Sequence, residues 1–169
     1  MDMEFAIQQL SNSVNAIHAM TKDVSTEQAR WKPDAGSWSI LEVINHLYDE
    51  EREDFRAHLQ GVLQVPIRAW SSIDPQAWVT ERRYQEREFS LSVENFLHER
   101  IESLSWLKGV EDSDWQAAYD MPWGKLSAGD LLASWAAHDL LHLRQLNELR
   151  YAYLIQVAAP YSVRYAGDW

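Results

Sequence analysis

Cysteine is absent from the 169 residues. That excludes disulfides, zinc–thiolate sites and any thiol nucleophile supplied by the chain itself, and it fits a reducing compartment. Basic charge is scarce: 15 Lys and Arg stand against 26 Asp and Glu, a formal net charge of −11. Phosphate binding needs clustered cations, so the balance argues against a nucleic-acid partner; the acid excess reads as a solubility feature. No apolar run approaches the roughly 18 residues of a membrane span, and the opening MDMEFAIQQL lacks the basic n-region of a signal peptide. A cytoplasmic chain without a membrane partner is expected. Glycine is sparse, and neither Asn-Gly nor Asp-Gly separates alternating runs, so nothing announces a hairpin.

What is present is helical periodicity and tryptophan. Nine Trp residues supply large apolar rings, for which core packing is the ordinary use. Apolar stripes predict four helices, over residues 3–22, 40–60, 90–108 and 128–154. The first carries Met3, Ile7, Leu10, Val14 and Ile17; the third carries Val93, Leu97, Ile101, Leu104 and Leu107. Ser39 and Glu42 form a capping box for the second helix, with Trp38 and Val43 placed as a hydrophobic staple. Ser127 caps the fourth, with Asp130 in its first turn and Leu126 and Leu131 as the staple.

The links DVSTEQARWKPDAGS and EDSDWQAAYDMPWGK echo each other, each joining a long helix to a capped one. Matching Ser39 to Ser127 sets His46 against Ser134, so the histidines do not follow the echo. A connection of about 28 residues (61–88) separates the two helix pairs. Long crossovers permit parallel neighbours. The expected fold is therefore a single all-α domain, a four-helix bundle with a long crossover between helices 2 and 3.

The fourth helix contains WAAHDLLHLRQL, with His138 and His142 four residues apart. The stripe Leu131, Trp135, His138, His142, Leu146, Leu149 puts both imidazoles on the core-facing side, one turn apart, where they can reach one metal ion. A lone pair of this kind also occurs as satisfied core histidines, so a third ligand is the test. Of His18, His46, His58 and His98, the best placed is His46, at the border of the stripe Ile40, Val43, Ile44, Leu47. His58 lies among polar residues, and His18 and His98 sit beside their helices' stripes. The run is not HExxH, because Asp139 and Leu140 follow His138, which disfavours a zincin peptidase. Asp49, Glu50, Glu53 and Asp139 are carboxylates within reach of such a site. The ordinary reading of YDEEREDFR is a solvated helix face with charge pairs four apart.

WKPDAGSWSILEVINHLYDEE, followed by GKLSAGDLLASWAAHDLLHLRQL, resembles the DinB-like superfamily of four-helix-bundle metalloproteins. The shared pattern is Trp38-Ser39 at a helix start, His46-Leu47 two turns in, then His138, His142 and Gln145; SSIDPQAWVTERRYQ and the Trp-rich links are similar too. The resemblance implies a divalent metal, zinc, nickel, iron or manganese, on His46, His138 and His142. Beside that site Asp49, Glu50 and Asp139 are the candidates to orient a ligand or move a proton. The superfamily's members include bacillithiol transferases and mycothiol-dependent isomerases, in which the metal holds a low-molecular-weight thiol as thiolate. A cysteine-free chain must take that thiol as cosubstrate. The expected activity is thiol S-transfer or hydrolysis on a small-molecule electrophile, in stress response or detoxification. The other readings are a non-enzymatic metal- or ligand-binding protein and a purely structural bundle. The aromatic tail YAYLIQVAAPYSVRYAGDW packs across the bundle, lines a pocket mouth or makes a homodimer interface.

Overall fold

The computed structural model describes residues 3–70 and 72–167. Its first rod, α1 (Met3–Thr21), buries Ile7, Leu10 and Ile17 of the stripe read from sequence. A short helix, α2 (Thr26–Arg30), follows. The second rod is compound: α3 (Ile40–Glu50) runs into a π-helical turn at Glu51–Phe55 and continues as α4 (Arg56–Leu63). The crossover carries a short α5 (Pro75–Glu81) and a 3-10 turn, Tyr84–Glu86. The third and fourth rods are α6 (Phe89–Lys108) and α7 (Ala128–Ala158). Among the described residues no helix is long and apolar enough to cross a membrane.

Cross-links between rods fix their directions. Asn45 bonds Ser92 and Glu51 bonds Arg100, so α3 and α6 run the same way. Arg100 ties Leu10 to the level of Asp139, and Arg150 reaches the Met20 carbonyl, so α1 and α7 also run together. Glu51 meets Trp135 while His46 meets His142, so α3 and α7 oppose each other. The order is up-down-down-up, and the long crossover is what lets α4 and α6 be joined in parallel.

Both caps form as expected. Ser39 accepts from the Glu42 N–H while the Glu42 carboxylate accepts from the Ser39 N–H, and Lys32 Nζ pairs with that carboxylate at 2.7 Å. Ser127 and Asp130 make the same reciprocal pair at the start of α7. Ser39 is completely buried, so its loss cannot be made good by water. Ser39→Ala is expected to lower the unfolding free energy by about 1–2 kcal/mol, read from urea unfolding; a change near zero would mean that the cap does not hold the helix start.

Three expectations are corrected. A hairpin exists: β1 (Ala118–Met121) pairs antiparallel with β2 (Gly124–Ser127). Its two-residue turn is Pro122-Trp123, followed by Gly124 at φ +143°, a conformation that favours glycine and lies outside the Asn-Gly signature. Tyr119 and Leu126, opposite each other, pack on the apolar cluster around Trp135. Next, the core face of α6 is Phe89, Ser92, Phe96, Arg100, Ser103 and Leu107, whereas Ile101 is exposed. The richer aliphatic stripe lies one position over. Finally, YDEEREDFR is not a solvated face: Asp49, Glu50 and Glu51 are buried. The crossover elements α5 and Tyr84–Glu86 pack on α3 from outside, so Ile40–Leu47 is buried all round.

The apolar core falls into two clusters, one around Ile17, Ile44 and Phe96, the other around Leu10, Leu59 and Trp135. Between them Arg100 is fully buried and its guanidinium uses all five donors. Nε and Nη2 donate to Glu51 at 2.7 Å each, Nη1 and Nη2 to Asp139 at 2.6 and 2.9 Å, and Nη1 to the Leu10 carbonyl at 3.1 Å. Burial opposes the charge, but Glu51 and Asp139 outweigh it and hold Arg100 above its ordinary pKa. The π turn adds a residue without ending the helix, which brings both Glu50 and Glu51 inward and still returns Leu59 and Val62 to the core.

Candidate metal centre

His46 stands on α3 behind the Ser39 cap; His138 and His142 leave α7 on adjacent turns. The structure brings the three together, each offering a ring nitrogen within 4.8 Å of the others. Nε2 of His138 and Nε2 of His142 are 3.0 Å apart. Two nitrogens bound side by side to one metal, at about 2.1 Å each, stand roughly 3.0–3.4 Å apart. Glu50 places Oε2 2.9 Å from His138 Nε2 and 3.8 Å from His46 Nε2.

Neighbours fix the rings. The His142 Nδ1–H donates to Gln145 Oε1 at 2.8 Å, which leaves the Nε2 lone pair turned to the cluster. Trp38 meets His46 edge-on at 4.8 Å, and Phe55, from the π turn, lies 5.0 Å from the His138 ring. His46 Nδ1 is buried without a hydrogen-bond partner. An orphaned buried nitrogen is costly, and it accords with a ring retained for the cluster, not for packing.

The electrostatics suit cation binding. Burial, then the charges of His142 and His138, push His46 down to about 2. Burial and His138 push His142 to about 4, against the opposing effect of its hydrogen bond to Gln145. Both are neutral at pH 7, the state in which an imidazole can bind a cation. An unfolded imidazole protonates near 6.5, so below that pH the unfolded state holds more protons at these positions. The metal-free chain is therefore expected to lose stability as pH falls from about 6.5 towards 4, by up to ~1.4 kcal/mol per pH unit for each ring. Urea unfolding at several pH values, beside His46→Ala, reads this; equal slopes in both chains would contradict it.

The rings open onto a cleft of about 760 Å³, walled by α7, the 33–38 segment and the start of α5. Of the candidate carboxylates, Glu50 alone is in ion-pair contact with the cluster. Asp49 is committed elsewhere: Oδ1 accepts from Arg52 of the π turn at 3.1 Å, and Oδ2 accepts from Arg82 at 2.8 Å and Tyr84 Oη at 2.7 Å, both from the crossover. Burial and then Asp49 raise the Tyr84 phenol above its ordinary pKa, so it stays a donor. Asp139 is committed to Arg100. Glu53 pairs with Arg82 and Arg52. His18 and His98 are exposed. His58 is buried, bonded to Asp54 at 2.7 Å and stacked on Trp70.

Sequence reasoning missed Arg100 and Glu51, which brace the two histidine-bearing helices through the chain neighbours of Glu50 and His138. The available signal was the spacing Phe89, Ser92, Phe96, Arg100, Ser103, Leu107, marked as a face by its two phenylalanines. The tail divides its roles: Ala152 lines the cleft, Tyr153 meets Trp31 edge-on at 5.4 Å, Tyr161 and Tyr165 are exposed, and residues 168–169 lie outside the described residues.

Residues 9–146 match the profile of the DinB superfamily. No curated protein matches the chain. A solved structure, YfiT from Bacillus subtilis, superposes with a TM-score of 0.77 over 88% of this chain and 86% of that one, at 16% identity. That protein is described as "a probable metal-dependent hydrolase with an unusual four-helix bundle topology". The likeness extends to the fold.

Proposed function

The chain belongs to the DinB superfamily, and from that premise we propose a metal-dependent enzyme that activates a low-molecular-weight thiol, or water, against a small electrophile. The observation that carries the proposal is the convergence of His46, His138 and His142 at the wall of an open cleft. Three neutral imidazoles are the donor set of a catalytic site with free positions. A divalent metal held there, zinc, nickel, iron or manganese, supplies a Lewis-acid centre that lowers the pKa of a thiol or water.

The chain's residues do the remainder. His142 is oriented by Gln145 and His46 by Trp38. Glu50, beside His138, is placed to accept the proton that a thiol or water gives up. Trp38 and Leu149 give the cleft apolar surface for an electrophile. Water as nucleophile is the second reading, favoured by the description of YfiT as a metal-dependent hydrolase.

Turnover of a chromogenic electrophile by metal-loaded protein, with and without 2-mercaptoethanol, tests the proposal. Thiol-dependent turnover that is lost in His142→Ala is expected. Because the chain has no cysteine, every thiol consumed is cosubstrate. Thiol-independent turnover would favour hydrolysis, and no turnover by a metal-loaded chain would leave a binding protein.

A further inference from the structure

The cleft has a charge pattern that selects its ligand. Two carboxylates line it, Glu50 at the inner end and Glu148 further along α7, and no Lys or Arg is among its described lining residues. Glu148 lies six residues beyond His142, about 9 Å along the helix axis at ~1.5 Å per residue. The basic residues beside the α7 and 33–38 lining are turned to other work: Arg150 donates to the Met20 carbonyl at 2.6 Å. Lys32 pairs with Glu42 at 2.7 Å. Arg144 approaches Glu148 at 3.4 Å from outside the wall, where its side chain is 70% exposed and solvent screens the pair. The remaining wall between the ends is apolar or uncharged, including Trp38, Gln76, Gln145 and Leu149.

Charge accounting then limits what fits. A divalent cation on three neutral imidazoles, with Glu50 and Glu148, sums to zero. With the thiol or water proton passed to Glu50, one thiolate or hydroxide leaves the site neutral. A carboxylate elsewhere on the ligand would add an uncompensated negative charge, with no cation in the wall to meet it, inside a chain already at −11. We propose, resting on the metal-site reading above, that the cleft admits small ligands whose remainder is uncharged or carries an ammonium group, and rejects those whose remainder is anionic. The class is aminothiols and neutral thiols or electrophiles, with Glu148 facing the cationic end.

The test is binding to cobalt(II)-loaded protein, followed by the visible spectrum. The thiols are cysteamine, 2-mercaptoethanol and 3-mercaptopropionate, matched in size and different in remote charge. At low salt cysteamine is expected to bind about tenfold more tightly than 3-mercaptopropionate, the effect of opposite unit charges near a partly screened carboxylate. The neutral thiol falls between them. Glu148→Lys is expected to reverse the order. Equal affinities, or an order unmoved by Glu148→Lys, would overturn the proposal.

A parallel series with hydroxamates in place of thiols separates this from the thiol reading. If hydroxamates keep the charge order while no thiol binds, thiol activation fails and the charge rule stands. If both series bind without charge order, the metal site stands and the rule fails. No spectral change in either series overturns the rule, and a chain that takes up no cobalt overturns both.

Discussion

Arg100→Met is expected to cost about 3–5 kcal/mol of stability, the loss typical when one partner of a buried ion pair is removed. The figure is large because Arg100 serves two carboxylates at once. Without the guanidinium, Glu51 and Asp139 are left in a layer where Arg100, Asp139 and Glu51 are at most 1% exposed, sealed between two apolar clusters. Trp135 Nε1 donates to Glu51 at 3.0 Å but leaves both acids without a counter-charge. Against a typical domain stability of roughly 5–15 kcal/mol, this loss shifts the urea midpoint strongly or unfolds the chain. Replacing Glu51, Arg100 and Asp139 together with apolar residues of similar volume is expected to recover most of it, since desolvation offsets much of an intact buried pair's attraction. A loss under about 1 kcal/mol for Arg100→Met would mean that water reaches the layer.

The layer also bears on the site. Glu51 directly follows Glu50, and Asp139 directly follows His138. Arg100 thus joins α3 and α7 next to the residues that face the cluster. A rod-to-rod shift of a fraction of an ångström would alter the separation of His46 from His138 and His142, on which shared coordination depends.

How much of this could be read from the chain alone varies by element. The helix starts were legible because Ser39–Glu42 and Ser127–Asp130 are local chemistry, decided within four residues. The long crossover was legible as the connection 61–88, whose length frees the second and third rods from the antiparallel pairing of a short turn; the actual directions came from the cross-links between rods. The histidine grouping was legible from the one-turn spacing of His138 and His142 and the placing of His46 against the apolar stripe of α3. Burial around α3 was not legible, because it comes from the crossover folding back over Asp49, a contact between residues some 35 apart. The α6 face was misjudged because Arg100 is apolar neither in composition nor in any hydropathy pattern; its burial depends on acids contributed by two other rods. The hairpin escaped because its turn relies on Gly124 after Pro122-Trp123, not on a two-residue signature.

Metal content of the untagged protein, measured by mass spectrometry beside the His138→Ala/His142→Ala variant, tests the central claim most directly. The variant removes two of three donors and leaves His46 and Glu50, too few for a firm site. Both substituted side chains are only partly buried on the cleft wall, so the variant is expected to fold. A His46→Ala chain, checked for folding by circular dichroism, extends the test to the ligand from α3. The account predicts about one divalent ion per wild-type chain and a drop to background in the variants, after reconstitution with zinc, nickel, iron and manganese in turn. A wild-type chain that takes up none of them, or a variant that binds as much as wild type, would contradict it and return the three histidines to the role of packing residues.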